Sequence, residues 1–357
     1  KMDNNHRPSS LWFHKVNTKE DEDYEIYSEE DKGYFLSISE TLNKRFLILS
    51  IHNHETSEVR VIDQKKVIKE LKLFTKRRHG IEYSIEHDQE NSRFIILTNI
   101  NNAVDYKIME TEENSLGHDN WSDFIPHQEG VLITDFSCLK DFIIVQELED
   151  GIPSISSINK KDNSRNVIKF NEEVYDLDFN EGCEYSSNTI HIYYSSMTTP
   201  QEIYEYDLEE KKKVILKKQE IPSGHDSSNY ITKRVFAESK DGKKIPISLI
   251  KRVDTAESSP TLLYGYGSYG MSISPGFSAS RLSLVDRGMV YAIAHIRGGM
   301  DKGKKWYQDG KKRNKMNTFE DFIASALYLK KQNISGDISI HGGSAGGLLV
   351  GASLNMR

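Results

Sequence analysis

The sequence contains very little cysteine: Cys138 and Cys183 are the only two in 357 residues. The two show none of the short spacings that zinc sites and redox motifs use. A framework of disulfide bonds is therefore excluded, and the composition fits a reducing compartment, so we expect a cytoplasmic protein. Because no metal-binding or cofactor motif accompanies them, we expect neither a metal nor a cofactor.

Long apolar runs and an excess of basic residues are also missing. No apolar stretch approaches the ~20 residues that cross a bilayer, and residues 1–6 (KMDNNH) are polar, unlike the apolar segment of a signal peptide. The net charge is −7, which argues against non-specific binding to nucleic acid. We therefore expect neither a membrane nor a nucleic acid as partner. Hydrophobic residues make up 37%, enough for a substantial core in one large domain or two.

A regular repeat runs from the start of the chain to about residue 230. Apolar, strand-like runs start at equal intervals, at Phe46, Phe94, Phe142 and Ile190. A second run follows each of them about a dozen positions later, at Val59, Tyr106, Ile155 and Ile203. Several strands in a unit of about 48 residues are typical of a β-propeller blade. A β-sandwich with coincidental spacing is the alternative.

The spacing of the repeat also predicts where in a blade the chain begins. The run Leu11-Trp12-Phe13 stands one repeat before the run at Val59, whereas the run expected one repeat before Phe46 would precede residue 1. We therefore expect the chain to begin inside a blade. The prediction for residues 1–230 is a partial β-propeller of about four to five blades.

After about residue 230, strands alternate with helices. Asp241-Gly242 between two apolar runs predicts a hairpin. Apolar strands are predicted at 261–264, 289–294 and 338–340, with a helix before the last of them. This order predicts an α/β layer with parallel strands. Residues 231–357 are accordingly predicted to form an α/β domain.

The helix before the last strand has an apolar face that includes Phe319 and Phe322. We expect Asn317-Thr318 to cap its first turn. Glu320 and Asp321 are then expected to complement the positive end of the helix dipole.

A possible nucleophile follows the last strand. Gly342-x-Ser344-x-Gly346 lies between a predicted strand and a predicted helix, which is the context of a nucleophile elbow. Glycine is needed on both sides because the turn leaves no room for side chains. We predict that Ser344 is the nucleophile and that the Ala345 N–H points to where an oxyanion would form. The alternative is a plain glycine-rich turn.

The sequence does not supply an obvious base for Ser344. In α/β-hydrolases an acidic residue and then a histidine follow the serine along the chain, yet the sequence after Ser344 (AGGLLVGASLNMR) contains neither. His295 and His341 precede the serine, and we expect both to be packing or hydrogen-bonding residues. The 357 residues therefore lack a complete triad, and we expect them to be inactive alone.

Several segments resemble motifs of the prolyl oligopeptidase family of serine peptidases, in the same order. They are residues 262–270 (LLYGYGSYG), 280–284 (SRLSL), 295–311, 315–322 (KMNTFEDF) and 342–347 (GGSAGG). Residues 194–200 (YSSMTTP) and 267–270 (GSYG) are similar to the oligopeptidase B branch in particular. Members of the family pair a seven-bladed β-propeller with an α/β-hydrolase domain and cleave short peptides, with the propeller restricting access.

The resemblance implies roles for individual residues. Ser344 would be the nucleophile, the Tyr266 hydroxyl and the Ala345 N–H would form the oxyanion hole, and Tyr269 would line the substrate pocket. Substrates would be short peptides, cleaved after basic residues. The chain would be an internal fragment in which residues 231–357 are the N-terminal half of the α/β-hydrolase domain. The triad Asp and His would lie in a missing C-terminal segment of the same protein. Without the resemblance, packing within a glycine-rich loop explains Tyr266 and Tyr269 equally well.

The sequence also departs from the family pattern. Ser274 and Gly276 stand where the oligopeptidase B branch has acidic residues that help to bind a basic side chain. Gly298-Gly299-Met300-Asp301 replaces a run of three glycines and a glutamate. Two other functions remain open: a non-catalytic propeller that binds a partner, and an esterase or acylaminoacyl-peptidase-like relative.

Overall fold

A computed structural model describes residues 1–66, 70–182 and 184–357. Cys183 lies outside the described residues, and Cys138 is buried. None of the helices in this described part is long and apolar enough to cross a membrane. The chain divides into two compact units. Unit 1 contains the described residues of Lys1–His127, Phe136–Ile143 and a short segment ending at Ser187, and unit 2 contains Gln128–Asp135, Ile144–Gly182 and Asn188–Arg357.

Four sheets of four strands follow one another along the chain, after one sheet of two strands. The strands are β1 (Ser10–Phe13), β2 (Tyr24–Ser28), β3 (Phe35–Glu40), β4 (Phe46–His52), β5 (Ser57–Asp63), β6 (Lys72–Leu73), β7 (Tyr83–Asp88), β8 (Arg93–Thr98), β9 (Lys107–Glu112), β10 (Ser122–Ile125), β11 (Val131–Cys138), β12 (Phe142–Glu149), β13 (Ile152–Asn159), β14 (Arg165–Ile168), β15 (Tyr175–Asn180), β16 (Thr189–Ser196), β17 (Glu202–Asp207) and β18 (Lys212–Lys218). Strands β1 and β2 pair with each other, and in each later sheet every strand lies beside its neighbours in sequence. Such small consecutive meanders are typical of propeller blades.

The predicted repeat corresponds to the second and third strands of these sheets. The runs that start at equal intervals are β4, β8, β12 and β16, and the runs that follow them are β5, β9, β13 and β17. Within unit 1, Phe46, Phe74 and Phe94 pack together in one apolar core. The four separate sheets confirm the blade prediction, because a β-sandwich would bury its core between two larger sheets.

The last part of unit 2 contains a five-stranded sheet in the order β19-β20-β22-β21-β23. Its elements are β19 (Tyr230–Glu238), β20 (Lys244–Arg252), β21 (Thr261–Tyr264), α1 (Ala279–Val285), β22 (Val290–Ala294), α2 (Lys304–Gln308), α3 (Lys315–Lys331), β23 (Ile338–His341) and α4 (Ala345–Met356). Short 3-10 helices lie at Glu20–Glu22, His118–Asn120, Ser227–Asn229 and Lys312–Asn314. Strand β21 is parallel to both β22 and β23, as predicted, whereas the β19–β20 hairpin joins the sheet antiparallel to β22.

Helices cover both faces of this sheet. Ala292 of β22 contributes to the core beneath α3 and α4, together with Phe322 and Leu349. The alternate residue Ile293 contributes to a second core with Leu282 of α1. Successive side chains of a strand point to opposite faces, so a strand covered on both faces is apolar throughout its length.

Helix α3 begins earlier than predicted. Its first residue is Lys315 and Asn314 is its N-cap, so the expected cap at Asn317-Thr318 is wrong. The Asn317 amide instead donates to the Asp309 carbonyl, and the Thr318 hydroxyl donates to the Gly310 carbonyl. These two side chains therefore hold the segment that precedes the helix.

Candidate active site

The candidate site forms where two parallel strands end. Tyr264 of β21 pairs with His341 of β23, and the Gly265 N–H donates to the His341 carbonyl at 3.1 Å. The chain therefore leaves both strands at the same edge of the sheet. Parallel α/β sheets bind their ligands at this edge, beyond the carboxyl ends of the strands.

Ser344 lies on the turn between β23 and α4 with an exposed side chain. Its backbone angles are φ 52° and ψ −119°, a conformation that costs free energy in any residue with a Cβ. A Cβ on Gly342 would clash with the Gly346 carbonyl, so the turn requires glycine there. The strand-to-helix turn and its strained serine are thus confirmed, and such strain is found most often at functional sites.

Tyr266 and Ala345 lie close to this turn. Tyr266 is half-buried, and its Cδ2 is 3.6 Å from the position that a Cβ on Gly346 would occupy. Ala345 is the first residue of α4, where backbone N–H groups have no partner within the helix. The structure therefore brings Ser344, Ala345 and Tyr266 to one end of α4. Tyr269 has a φ of 58° and a side chain that is 74% exposed.

His295 is buried and both of its ring nitrogens have partners. Nδ1 lies 2.8 Å from Asp301 Oδ1, and Nε2 lies 2.8 Å from the Ser248 hydroxyl. Burial and the nearby Arg234 lower the pKa of His295, against the opposing effect of Asp301. The neutral ring therefore donates from Nδ1 to Asp301 and accepts at Nε2 from Ser248, whose oxygen in turn accepts from Arg234 Nη1.

This Ser248–His295–Asp301 array has the hydrogen-bond order of a catalytic triad, but no substrate can reach it. The His295 side chain is fully buried, and Arg234 occupies the Ser248 oxygen. His341 packs its ring edge-on against Tyr264, with 5.3 Å between ring centroids. In the part of the chain that the structure describes, no histidine or carboxylate hydrogen-bonds the Ser344 hydroxyl. The structural roles predicted for His295 and His341 agree with these contacts.

An ion-pair network that the sequence analysis missed holds the segment after β22. Arg297 donates to Asp321 from Nε at 2.8 Å and from Nη2 at 2.6 Å, and to Asp241 from Nη1 at 2.6 Å. Although burial alone would lower the pKa of Arg297, its bonds to Asp321 and Asp241 raise it above the usual value. The bonds to Arg297 also lower the pKa of Asp241 to about 2. The sequence offered one signal of this network. The carboxylate of Asp321 stands between Phe319 and Phe322, two buried phenylalanines of α3.

The segment after β22 supports the loop that carries Tyr266. The Gly270 N–H donates to the Gly298 carbonyl at 2.9 Å. A Cβ on Gly298 would clash with the backbone of Gly267, so only glycine allows this approach. Met300 and Asp301 are the residues of this segment that depart from the family pattern. The Met300 side chain packs against Gly270, and Asp301 binds His295.

Ser274 and Gly276, which also depart from the family pattern, lie in a turn of the loop that carries Tyr266. The Ser274 hydroxyl accepts a hydrogen bond from the Gly276 N–H at 3.1 Å. A Cβ on Gly276 would lie 2.8 Å from the Ser195 hydroxyl and 3.5 Å from Asp176 Cβ. The turn is therefore packed closely against β15 and β16.

Across the described residues, no cluster of three or more His, Cys, Asp or Glu side chains could hold a metal ion.

Comparisons with known proteins agree with this architecture. Residues 1–219 match the prolyl oligopeptidase N-terminal β-propeller domain, and residues 275–357 match the prolyl oligopeptidase family. The chain is 36% identical to dipeptidyl aminopeptidase BI of Pseudoxanthomonas mexicana, covering 96% of this chain and 47% of that protein. It is 31% identical to Protease 2 of Moraxella lacunata, covering 99% of this chain and 51% of that protein.

Solved structures give the same result. Oligopeptidase B from Trypanosoma brucei with covalently bound antipain, in a closed form, superimposes with a TM-score of 0.91 at 34% identity, covering 100% of this chain and 52% of that one. Oligopeptidase B from Leishmania major superimposes with a TM-score of 0.90 at 31% identity, again covering 100% of this chain and 52% of that one. The chain thus spans about half the length of these relatives. With a β-propeller match over more than half of its residues, followed by the start of the peptidase domain, the chain belongs to the prolyl oligopeptidase family.

Proposed function

We propose that the complete protein is a serine-type oligopeptidase that hydrolyses peptide bonds in short peptides, with Ser344 as its nucleophile. The strained conformation of Ser344 at the N-terminus of α4 is the observation that carries the proposal. A non-catalytic propeller would have no use for such a turn. As part of the proposal, residues 1–230 form the partial β-propeller and residues 231–357 the first half of the peptidase domain.

The site residues suit the first step of acyl transfer. The Ser344 oxygen attacks the peptide carbonyl and loses its proton to a base, and the carbonyl oxygen becomes an oxyanion. The Ala345 N–H and the Tyr266 hydroxyl donate to that oxyanion, and the positive end of the α4 dipole stabilises it. Collapse of the intermediate leaves an acyl-enzyme and releases the amine with the transferred proton. In this proposal, the base and the carboxylate that orients it lie in a further segment of the complete protein, which is as long as its relatives.

The finer parts of the proposal concern substrate and location. Cleavage after basic residues is supported by the likeness to oligopeptidase B and is compatible with a net charge of −7. Tyr269 offers an exposed ring as one wall of the substrate pocket. A cytoplasmic location rests on the scarcity of cysteine. The likeness to a dipeptidyl aminopeptidase favours release of N-terminal dipeptides as a second candidate activity.

Labelling with a fluorophosphonate tests the nucleophile. We expect the complete protein to react at one serine, and the modified peptide, identified by mass spectrometry, to contain Ser344. Ser344→Ala should abolish labelling, whereas Ser339→Ala, on β23, should retain it. Rates on arginyl-amide, neutral-amide and dipeptidyl-amide substrates then separate the two candidate activities. Labelling that persists in Ser344→Ala would refute the assignment.

Replacement of Tyr266 by phenylalanine tests the oxyanion hole. The change removes one donor, and we expect a loss of about 2–4 kcal/mol of transition-state stabilisation, seen as a fall in kcat of roughly 30- to 900-fold with little change in KM. Tyr328→Phe, on the far part of α3, is the matched control and should leave kcat unchanged. An unaltered kcat in Tyr266→Phe would remove the tyrosine from the oxyanion hole.

A further inference from the structure

Lys315 is the first residue of α3, and its side chain reaches the loop that follows β21. We call residues 265–271 the oxyanion loop. The Lys315 ammonium donates to the Gly267 carbonyl at 2.5 Å and to the Ser268 hydroxyl at 2.8 Å. These two residues come directly after Tyr266 in the chain. Lys315 therefore binds the backbone next to the proposed oxyanion donor.

The ammonium of Lys315 is a charge held by neutral partners in the described part of the chain. Among the residues that the structure describes, no carboxylate lies within ion-pair distance of it. The side chain is half-buried, and burial lowers the pKa of Lys315. Placing an unpaired charge away from water is costly unless hydrogen bonds compensate. The Phe319 ring lies 5.9 Å from the ammonium, and the hydrogen bonds that compensate come from Gly267 and Ser268 of the oxyanion loop. The position of the charge and that of the loop are therefore coupled.

The Gly267 peptide is also held from other directions. The methyl group of Thr318, one turn after Lys315 on α3, packs against Gly267. Gly298 lies directly against the Gly267 carbonyl. Of these contacts, only the one from Lys315 is a charged hydrogen bond to the carbonyl oxygen, and charge-assisted bonds are about twice as strong as neutral ones. Lys315 therefore does most to fix the direction in which this carbonyl points.

We propose that Lys315 is a positioning residue that fixes the oxyanion loop so that the Tyr266 hydroxyl meets the developing oxyanion. The inference rests on the proposed function and adds to it a residue outside the reacting groups. Without the ammonium, the Gly267 carbonyl loses its charged hydrogen bond, and the Tyr266 backbone next to it can shift. A displacement near 1 Å at a catalytic group can cost about 100-fold in rate.

The test compares Lys315→Met, which keeps the length of the side chain but not its charge, with Lys315→Arg in the complete protein. Lys330→Met, an exposed lysine at the end of α3, is the matched control. We expect Lys315→Met to lower kcat by roughly 10–100-fold with KM changed less than about 2-fold, because only the transition state uses the oxyanion donor. Lys315→Arg should recover part of the loss, and Lys330→Met should behave as the wild type.

Two further measurements separate positioning from general stability. Hydrogen exchange at amides 265–271, including Gly270, should be faster in Lys315→Met. The double variant Lys315→Met/Tyr266→Phe should be no slower than Tyr266→Phe alone, because a residue that acts through Tyr266 has nothing left to position. Additive losses, or an unchanged kcat in Lys315→Met, would overturn the inference while leaving Ser344 as the nucleophile. Wild-type protein without Ser344-dependent activity would instead overturn the proposed function, and the inference with it.

Discussion

A polypeptide of residues 1–357 alone is expected to hydrolyse an arginyl-amide substrate at no more than about 10³–10⁴ times the uncatalysed rate, the level that binding and an oxyanion hole supply without a triad. The Ser344 hydroxyl is a weak nucleophile until a base takes its proton. None of the residues after Ser344 can act as that base. His295 is buried with both ring nitrogens occupied, so it cannot substitute.

The surroundings of Ser344 lower the expected rate further. Strand β23 pairs with β21 on one side and forms the edge of the sheet. Leu348 and Leu354 of α4 are exposed. An edge strand with exposed apolar neighbours gives little lateral support to the turn that holds Ser344.

Two assays check this prediction: turnover of an arginyl-amide and the rate of labelling by a fluorophosphonate. Each is run on the polypeptide of residues 1–357 and on the complete protein at equal concentration. We expect both rates to be far lower in the shorter polypeptide. Efficient turnover by these residues alone would contradict the prediction, and substitution of His295 and His341 would then be the first step in finding the base.

Asp321→Ala is expected to reduce the free energy of unfolding by about 3–5 kcal/mol, the usual cost of removing one partner from a buried ion pair. Asp321 is fully buried and accepts from the Arg297 backbone N–H as well as from its guanidinium. Its loss leaves the buried arginine with Asp241, whose side chain is half exposed. The segment after β22 would lose its anchor on α3.

Thermal and urea unfolding measure the effect of Asp321→Ala. Glu320→Ala is the matched control, because Glu320 adjoins Asp321 on α3 and its closest cation, Lys240, is a mostly exposed side chain at 3.5 Å. Exposed pairs contribute about 0–1 kcal/mol, so this variant should be nearly as stable as the wild type. Equal losses from the two substitutions would show that Asp321 and Arg297 are not the anchor.

The blades and the nucleophile turn could be predicted because their signals are local. Each blade repeats the same alternation of apolar and turn residues, so the equal spacing of the apolar runs identifies β4, β8, β12 and β16. The turn at Ser344 is marked by the glycines on either side of it, which steric limits require. Neither inference needs knowledge of what lies far away in sequence.

The contacts that support the site could not be predicted, because they join residues distant in sequence. Asp321 was expected to complement the positive end of the helix dipole, yet it is buried and binds Arg297, 24 residues earlier. The hydrogen bond from Lys315 to the Gly267 carbonyl joins residues 48 positions apart, so nothing in the sequence indicated it. The start of α3 was also misplaced, because Asn317 and Thr318 bond to the preceding segment and not to the helix end.

The side chains around His295 form a chain of hydrogen bonds in which each group donates to the next. Arg234 donates to Ser248, Ser248 to the imidazole, and the imidazole to Asp301. A second proton on the ring would turn its acceptor into a donor facing another hydroxyl proton. The folded protein resists this protonation because burial and Arg234 lower the pKa of His295. An unfolded chain takes up the proton with an ordinary pKa near 6.5, so acidification from about that value down to the lowered pKa of the folded protein favours the unfolded state. The array therefore couples the segment that supports the oxyanion loop to the acidity of the surrounding solution.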